Sequence, residues 1–532
     1  MRPHQRRGLR VQHLHGGDSK GIAAATPMLS PIMIAGQQFE NLVWQAATRL
    51  LPTRATHATT LNKHRRQAHP TPECEASMID PTALFVTIVG DQNLLTGAAI
   101  SEDYSHDEEL SVEPQIPDFV ARPASAEEVS RLVTIASRHG IPVTARGSGT
   151  GLSGGARPQP GGLVISFERM NAVVEVDVVN QVAVVQPGVT LTELDEATAP
   201  YGLGYMVQPG ELSASVGGNV GTNAGGMRAV RYGIARHNVL GLQAVLPTGE
   251  IIRTGGKIAK ISTGYDLTQL IVGSEGTLAL ATEVIVKLHP RLAHSATVLA
   301  PFDNLDQVMA AVPRILASGL APSILEYIDN TTMAAMVYTQ NLELGIPDTI
   351  RDNCQAYLLV SLESRTAHRL AEDIEVVGEL VTELGAIDIY VLEGGSARKL
   401  IEARERAFWT AKAMGADDII DTVVPRSAMP DFLAKAREIA AAAGGAAAGC
   451  GHAGDGNVHM VIFCKDPEIR STIMFDILEL AMRMGGAISG EHGLGTAKKP
   501  YFLKLEDPVK LELLHRIKAG FDPAGILNPA IV

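Results

Sequence analysis

The sequence predicts an α+β protein of more than one domain, on three observations. A β-α-β segment opens near Asp118, two glycine-rich runs interrupt a series of short apolar strands up to about His289, and beyond that point amphipathic helices alternate with strands. At 532 residues the chain is too long for one compact core, and 45% hydrophobic with 19% charged residues is ordinary globular composition.

The elements read as follows. "DFVAR" is a short strand, and "PASAEEVSRLVTIASRHG" is a helix. Ser125 and Glu128 have capping-box spacing, Val129, Leu132, Val133 and Ala136 form one apolar stripe, and Gly140 ends it. "IPVTAR" follows as a strand parallel to and paired with the first. Next come "LVISF", the strands "AVVEVDV" and "VAVVQPG" about a polar turn, a helical "TLTELDEATAPYG", and the hairpin "LQAVLPTGEIIRTGG". "STGYDLTQLIVGSEGTLALATEVIVKL" closes this part, with a boundary near His289 and Pro290. The remainder, with a helix from Leu305 to Ser318, a strand "QAYLLVSLE", a helix from Ala367 to Leu384 and a strand "AIDIYVLE", reads as a separate α+β domain with an antiparallel sheet.

A net charge of -13 argues against nucleic acid or anionic lipid as the partner, since both need a broad basic field. No apolar run approaches the roughly 20 residues of a membrane helix, so the protein is expected to be cytoplasmic, at most peripheral to a membrane. Four scattered cysteines without a C-x-x-C pair suit a reducing compartment and carry no iron–sulfur signature. Residues 1–77 differ from the rest: up to Pro72 they hold ten Lys and Arg against only Asp18 and Glu40. They read as a disordered extension or a start assigned upstream of Met78. The alternative is an organellar transit peptide, which would make the protein mitochondrial, but no steady amphipathic period or cleavage signal supports it.

"RGSGTGLSGG" (146–155) satisfies the dinucleotide fingerprint at Gly149, Gly151 and Gly154, with Glu168 at the distance of a ribose-binding acid. A Rossmann loop must open a helix. Here Pro158, Pro160, Gly161 and Gly162 forbid one. What remains is a loop whose successive N–H groups can turn inward onto phosphate oxygens. "SVGGNVGTNAGG" is a second such run.

Near the C-terminus stands "GCGHAGDGNVHMVIF", in which a turn at Asp455 and Gly456 brings His452 and His459 to one side. Two imidazoles are half of a metal site, although two histidines alone are more often structural. An apolar helix from Thr472 to Met484, ended by Gly485 and Gly486, is followed by a short strand that delivers Glu491 and His492. Alternation along that strand lets Glu491 face a metal while His492 faces a substrate. "RER" at Arg404 reads by itself as a solvated helix face.

"TARGSGTGLSGG", "GGNVGTNAGG", "RYG", "GYDLTQLIVGSEGTLALAT" and "FDPAGILNP" together resemble the FAD-binding domain of vanillyl-alcohol-oxidase-type flavoenzymes, from about Leu84 to Asn528. Within that family the chain resembles the branch of D-lactate dehydrogenase and the glycolate oxidase flavoprotein. The resemblance implies a two-subdomain FAD-binding domain over residues 84–290, an α+β substrate (cap) domain over 291–500 and a C-terminal return over 501–532. It implies noncovalent FAD held by Arg146, Gly147, Ser148, Gly149, Thr150, Gly151, Leu152, Ser153, Gly154 and Gly155, by Gly217, Gly218, Asn219, Asn223, Ala224, Gly225 and Gly226, and by Tyr232, Gly233 and Asn528. It carries over His452, His459 and Glu491 as ligands of a divalent metal (Zn, Mn or Fe), His492 as the base, and Arg404 as the binder of the substrate carboxylate. Asp421 and Arg426 of "DTVVPRS" match the family without an assigned role.

The implied activity is oxidation of a D-2-hydroxy acid with hydride transfer to the flavin. Phe408, Ile419 and Val461 stand where diacid-specific relatives carry polar residues, so a small monocarboxylate, D-lactate or glycolate, is expected. The electrons must leave to an external acceptor, a cytochrome, a quinone or an electron-transfer protein. A homodimer and an iron–sulfur partner subunit both stay open. Two alternatives share the fold: the flavin subunit of a multi-subunit oxidase, and a flavoprotein transferase without redox chemistry.

Overall fold

A computed structural model describes residues 12–13 and 80–531 of the chain. The reading of residues 1–77 therefore falls almost wholly outside the described residues. Gln12–His13, which lies in that stretch, pairs in parallel with Tyr390 and Val391.

The N-terminal half holds two main sheets with separate cores, beside a two-stranded pairing of Leu203–Gly204 with His289–Pro290. The first has the strand order Leu94–Thr96, Phe119–Ala121, Leu163–Ser166, Val143–Arg146. The helix Ala126–His139 packs on it through Val129, Leu132, Val133 and Ala136, all fully buried. Each of the larger three contributes about 1.5–3 kcal/mol of burial. Ser125 accepts the Glu128 N–H as expected, and Gly140 closes the helix at φ 63°. The capping box is not reciprocal, because the Glu128 carboxylate accepts from Ala124 N–H instead. The strands flanking this helix are parallel but not paired: Leu163–Ser166 lies between them and is parallel to both. The second sheet is antiparallel, in the order Ile251–Gly255, Val239–Val245, Leu280–Lys287, Val182–Val185, Val173–Asp177. Its core includes Val185, Leu194, Val216 and Leu242.

The C-terminal half is built on one large sheet: Tyr390–Leu392, His294–Phe302, Ala356–Ser364, Ile324–Asp329, Ala446–Gly451, Asn457–Phe463 and Asp418–Val423, all antiparallel. Helices Leu305–Ala317, Ala367–Glu383, Met429–Ala442 and Pro467–Arg483 cover one face and close the largest apolar core. Asn330–Gln340 and Gly394–Glu405 pack on the other. The helix expected from Thr472 begins at Pro467, where Asp466 caps it by accepting from Glu468 and Ile469 N–H.

The chain then returns to the first sheet. Leu527 bridges Val143 in parallel, and Val143 N–H donates to Ile526 C=O at 2.8 Å. Buried Lys518 fixes this return, donating to Thr277 C=O, Leu527 C=O and the Asp522 carboxylate at 2.6–2.7 Å. No helix among the described residues is long and apolar enough to cross a membrane.

Candidate active site

The strand Val143–Arg146 runs into a loop with no helix before Leu163, as the prolines and glycines require. The Glu168 carboxylate is instead engaged locally, accepting from Tyr104 Oη at 2.8 Å and pairing with Arg122. The loop lies against the second glycine run, which is not an open loop but a short helix, Val216–Thr222, capped by Ser215. The approach is close enough that a Cβ on Gly147 would lie 2.0 Å from Ser215 Oγ. Between the two runs lies a cleft of about 220 Å³. Its walls include residues 147–153, Gly155, Gly217, Gly218, Asn219, Ala224, Glu275, Glu491 and His492.

The other expected cofactor residues do not line this cleft. Arg146 folds back beneath Gly149, donates to His106 C=O at 2.6 Å and lies over the Tyr104 ring. Gly154 N–H is already taken by the Asp107 carboxylate, whose pKa burial pushes up to about 6. Asn223, at φ 54°, ends the Val216–Thr222 helix. Gly226 has no room for a Cβ, which would meet Gln208 C=O at 2.0 Å. Gly233 turns at φ 75° beside His237, and Tyr232 donates to Glu363 of the C-terminal half at 2.8 Å. Asn528 Nδ2 donates to Gly155 C=O and Glu275 C=O, both at 2.9 Å, tying the two walls together.

A phosphate-bearing planar group suits this cleft. Glycine-rich turns can present successive backbone N–H groups to an anion, and buried Asn219 Nδ2 finds no hydrogen-bond partner among the described residues. Neither glycine run contains a His or Cys for a covalent bond to it.

The second constellation closes one end of the cleft. The strand Ala446–Gly451 turns at Gly456 (φ 84°) into Asn457–Phe463, and the His452 and His459 rings meet edge to face with centroids 4.8 Å apart. Their Nε2 atoms are 3.1 Å apart, and Glu491 Oε1 is 3.2 Å from each. Three ligands about 2.1 Å from one ion in tetrahedral arrangement stand roughly 3.4 Å apart, so the donor set matches a divalent cation in type and approximate spacing. His452 Nδ1 is 2.6 Å from Glu326 Oε1, the carboxylate support that ligating histidines commonly have. Burial acts to lower the pKa of His452, yet Glu326 and Glu491 raise it to about 10. These two carboxylates demand a positive charge between them, which a proton or a metal ion can supply.

Glu491 and His492 arrive differently from expectation. Past Ala487, which makes a single bridge to Val423, there is no strand. The chain instead wraps the buried Asp421 carboxylate, whose Oδ2 accepts from Ser489 Oγ at 2.7 Å and from the N–H groups of Gly490, Glu491 and His492 at 2.9–3.1 Å. Burial alone would raise the Asp421 pKa, but His492, Lys498 and His459 together hold it well below the usual carboxylate range. Glu491 turns to the histidine pair, where Gly225 makes room: a Cβ there would lie 2.6 Å from Glu491 Oε2. His492 stacks on His459 at 5.3 Å and lines the cleft. Burial pushes its imidazole down to about 4 against the pull of Asp421, so the ring is neutral.

Arg404 is not on a solvated face. It is buried, with Nη2 2.7 Å from Glu326 Oε2, so it supports His452 through Glu326 while also lining a cavity beside the histidines. Phe408, Ile419 and Val461 line the same cavity. Arg426 forms a short 3-10 turn just beyond the Asp418–Val423 strand.

Three residues that sequence reading missed or left without a role hold the site together. Glu326 is a fully buried acid inside the apolar strand "ILEYID", itself a signal that a charge is wanted there. Asp421 interrupts "DIIDTV" in the same way. Glu275, within "GSEGTL", gave no local signal. It accepts from Leu494 and Gly495 N–H across the cleft at 3.0 and 2.9 Å.

Fold and cleft together define the PCMH-type FAD-binding fold joined to an antiparallel α+β domain. Residues 117–255 match the family described as FAD binding domain, and residues 291–532 the one described as FAD linked oxidases, C-terminal domain. The chain belongs to this family of FAD-linked oxidoreductases. It is 74% identical to an uncharacterised FAD-linked oxidoreductase of Mycobacterium tuberculosis, over 86% of this chain and 99% of that one. A D-lactate dehydrogenase of Anaerostipes hadrus is 36% identical over 83% of this chain and 94% of its own length. Glycolate oxidase subunit GlcD of Bacillus subtilis is 37% identical over 84% and 95%. Among solved structures, p-cresol methylhydroxylase with substrate bound superimposes with a TM-score of 0.70 at 18% identity, covering 85% of this chain and 96% of that one. Alkyldihydroxyacetonephosphate synthase superimposes at 0.66, also with 18% identity, covering 88% of each.

Proposed function

We propose that this chain oxidises a D-2-hydroxy acid, of the D-lactate or glycolate kind, to the 2-oxo acid. The observation that carries the reading is the convergence of His452, His459, Glu491 and His492 at the end of the cleft between the glycine runs. When bound, noncovalent FAD along residues 147–155 and 217–224 supplies the two-electron acceptor, and a divalent cation on His452, His459 and Glu491 supplies the charge that acidifies the substrate hydroxyl. The chain's own work is positional and protolytic. His492 Nδ1 faces Asp421 Oδ2 at 3.9 Å, which leaves Nε2 of the neutral ring to accept the proton of the C2 hydroxyl. As that proton leaves, the C2–H bond breaks with its electron pair and the C2–O bond becomes double. Arg404, on the cavity wall, draws the substrate carboxylate to the same end. Asp421 keeps Glu491 and His492 in register through its run of hydrogen bonds.

A second reading concerns assembly. The relative named glycolate oxidase subunit GlcD supports a role for this chain as the flavin subunit of a complex, passing electrons to an iron–sulfur or flavoprotein partner.

The test is anaerobic mixing of the FAD-loaded protein with D- and L-lactate and glycolate, followed by flavin absorbance. D-lactate or glycolate is expected to bleach the flavin and L-lactate to leave it oxidised. His492→Ala is expected to retain bound FAD and to bleach orders of magnitude more slowly. An unchanged rate in that variant removes His492 as the base.

A further inference from the structure

The cavity beside the histidines is larger and more apolar than D-lactate requires. Its volume is about 150 Å³. A single water needs roughly 10–15 Å³ by the same measure, so the space holds roughly ten atoms of water size. A metal ion on His452, His459 and Glu491 takes one of these, and the carboxylate, C2 and hydroxyl of a hydroxy acid take five more. The one methyl of D-lactate would leave the rest unfilled, and unfilled apolar walls forfeit dispersion contacts.

The register of the sheet shows where the space leads. On Asn457–Phe463, alternate residues share a face, so His459, Val461 and Phe463 stand in line. Val461 has Ile419 on one neighbouring strand and Ala448 on the other. A substrate anchored at His459 therefore has, along the same face, a row of apolar side chains reaching about 13 Å to Phe463. Phe408 and Met414 line the same cavity. Charge is confined to the anchoring end. Arg404 there is taken by the first carboxylate of the substrate, and among the described residues the wall offers no second Lys or Arg for another acid group.

Resting on the reading of the site as a D-2-hydroxy acid oxidase, we propose that its preferred substrate carries an uncharged apolar side chain of about four to six carbons, aliphatic or aromatic, seated along Val461 and Phe463. D-lactate and glycolate are then the shortest acids accepted and not the best ones.

The experiment compares kcat/KM on the FAD-loaded, metal-replete protein for D-lactate, D-2-hydroxyhexanoate, D-2-hydroxy-4-methylpentanoate and D-2-hydroxyglutarate. It adds calorimetric binding of pyruvate and 2-oxohexanoate, a readout independent of turnover. Burial of each methylene is worth about fourfold. The two longer monoacids are expected to exceed D-lactate at least about tenfold, 2-oxohexanoate to bind tighter than pyruvate, and the diacid to fall below all three. Ala448→Leu, which fills the row, is expected to shrink the ratio of D-2-hydroxyhexanoate to D-lactate. If D-lactate equals or exceeds the longer acids, or if Ala448→Leu leaves the ratio unmoved, the proposal is overturned while hydroxy acid oxidation stands. If no hydroxy acid bleaches the flavin, the underlying reading fails and this proposal with it.

Discussion

The Glu275 carboxylate, on the flavin-binding half, accepts the Leu494 N–H at 3.0 Å, three residues beyond Glu491. Its other oxygen takes Gly495 N–H, and its own C=O receives Asn528 Nδ2. One side chain thus ties the loop bearing Glu491 and His492 to both the cleft wall and the C-terminal return. Glu275→Ala is expected to lower kcat for flavin reduction at least about tenfold, since losing buried charge-assisted hydrogen bonds costs roughly 1.5–3 kcal/mol each. KM is expected to change little and FAD to stay bound. Stopped-flow reduction beside FAD stoichiometry checks this.

The same carboxyl has a pH signature. Burial pushes its pKa up to about 7, outweighing the two N–H donors that pull it down. A raised carboxyl pKa means the folded state binds more protons than the unfolded one, so this group costs stability as pH rises from about 4.5 through 7. Glu275→Gln, which cannot ionise, is expected to gain melting temperature relative to the parent protein on going from pH 5 to pH 8. Thermal melts at both pH values measure the difference.

Asp421 leads to a sharper loss. Removing it frees three backbone N–H groups and leaves buried Lys498, 3.4 Å away, without its partner charge. Breaking such a buried pair costs about 3–5 kcal/mol. Asp421→Ala is expected to reduce flavin at least 100-fold more slowly and to melt at lower temperature. Equal melting and equal rate would remove its role as the anchor of the loop.

The triad is tested by metal content. Purified protein is expected to carry one divalent ion per chain, lost on His452→Ala or His459→Ala with FAD retained. Glu326→Gln is expected to weaken metal affinity about 10–100-fold by releasing the His452 ring. Gly225→Ala is expected to do the same from the other domain, because its Cβ would intrude on Glu491 Oε2. Elemental analysis after dialysis reads all four.

Local signals in the sequence carried far. Ser125 and Gly140 bound their helix as read, and the Asp455–Gly456 turn brings His452 and His459 together. Non-local facts were out of reach. Nothing near Phe119 or Val143 says that Leu163–Ser166 slips between them, because strand adjacency depends on the whole sheet. The strand expected before Glu491 is absent: the N–H groups of Gly490, Glu491 and His492 go instead to one carboxylate distant in sequence, that of Asp421. Arg404 read alone was a solvated residue; its partner Glu326 comes from a strand distant in sequence from the Arg404 helix and is visible only after folding.

The most direct test of the central claim is anaerobic titration of the FAD-loaded protein with D-lactate and a longer D-2-hydroxy acid, before and after removal of metal by a chelator. Stoichiometric bleaching of the flavin is expected, lost on chelation with FAD still bound and restored by adding back a divalent ion. Bleaching that is indifferent to the chelator, or a flavin that stays oxidised with every D-2-hydroxy acid, would contradict that claim.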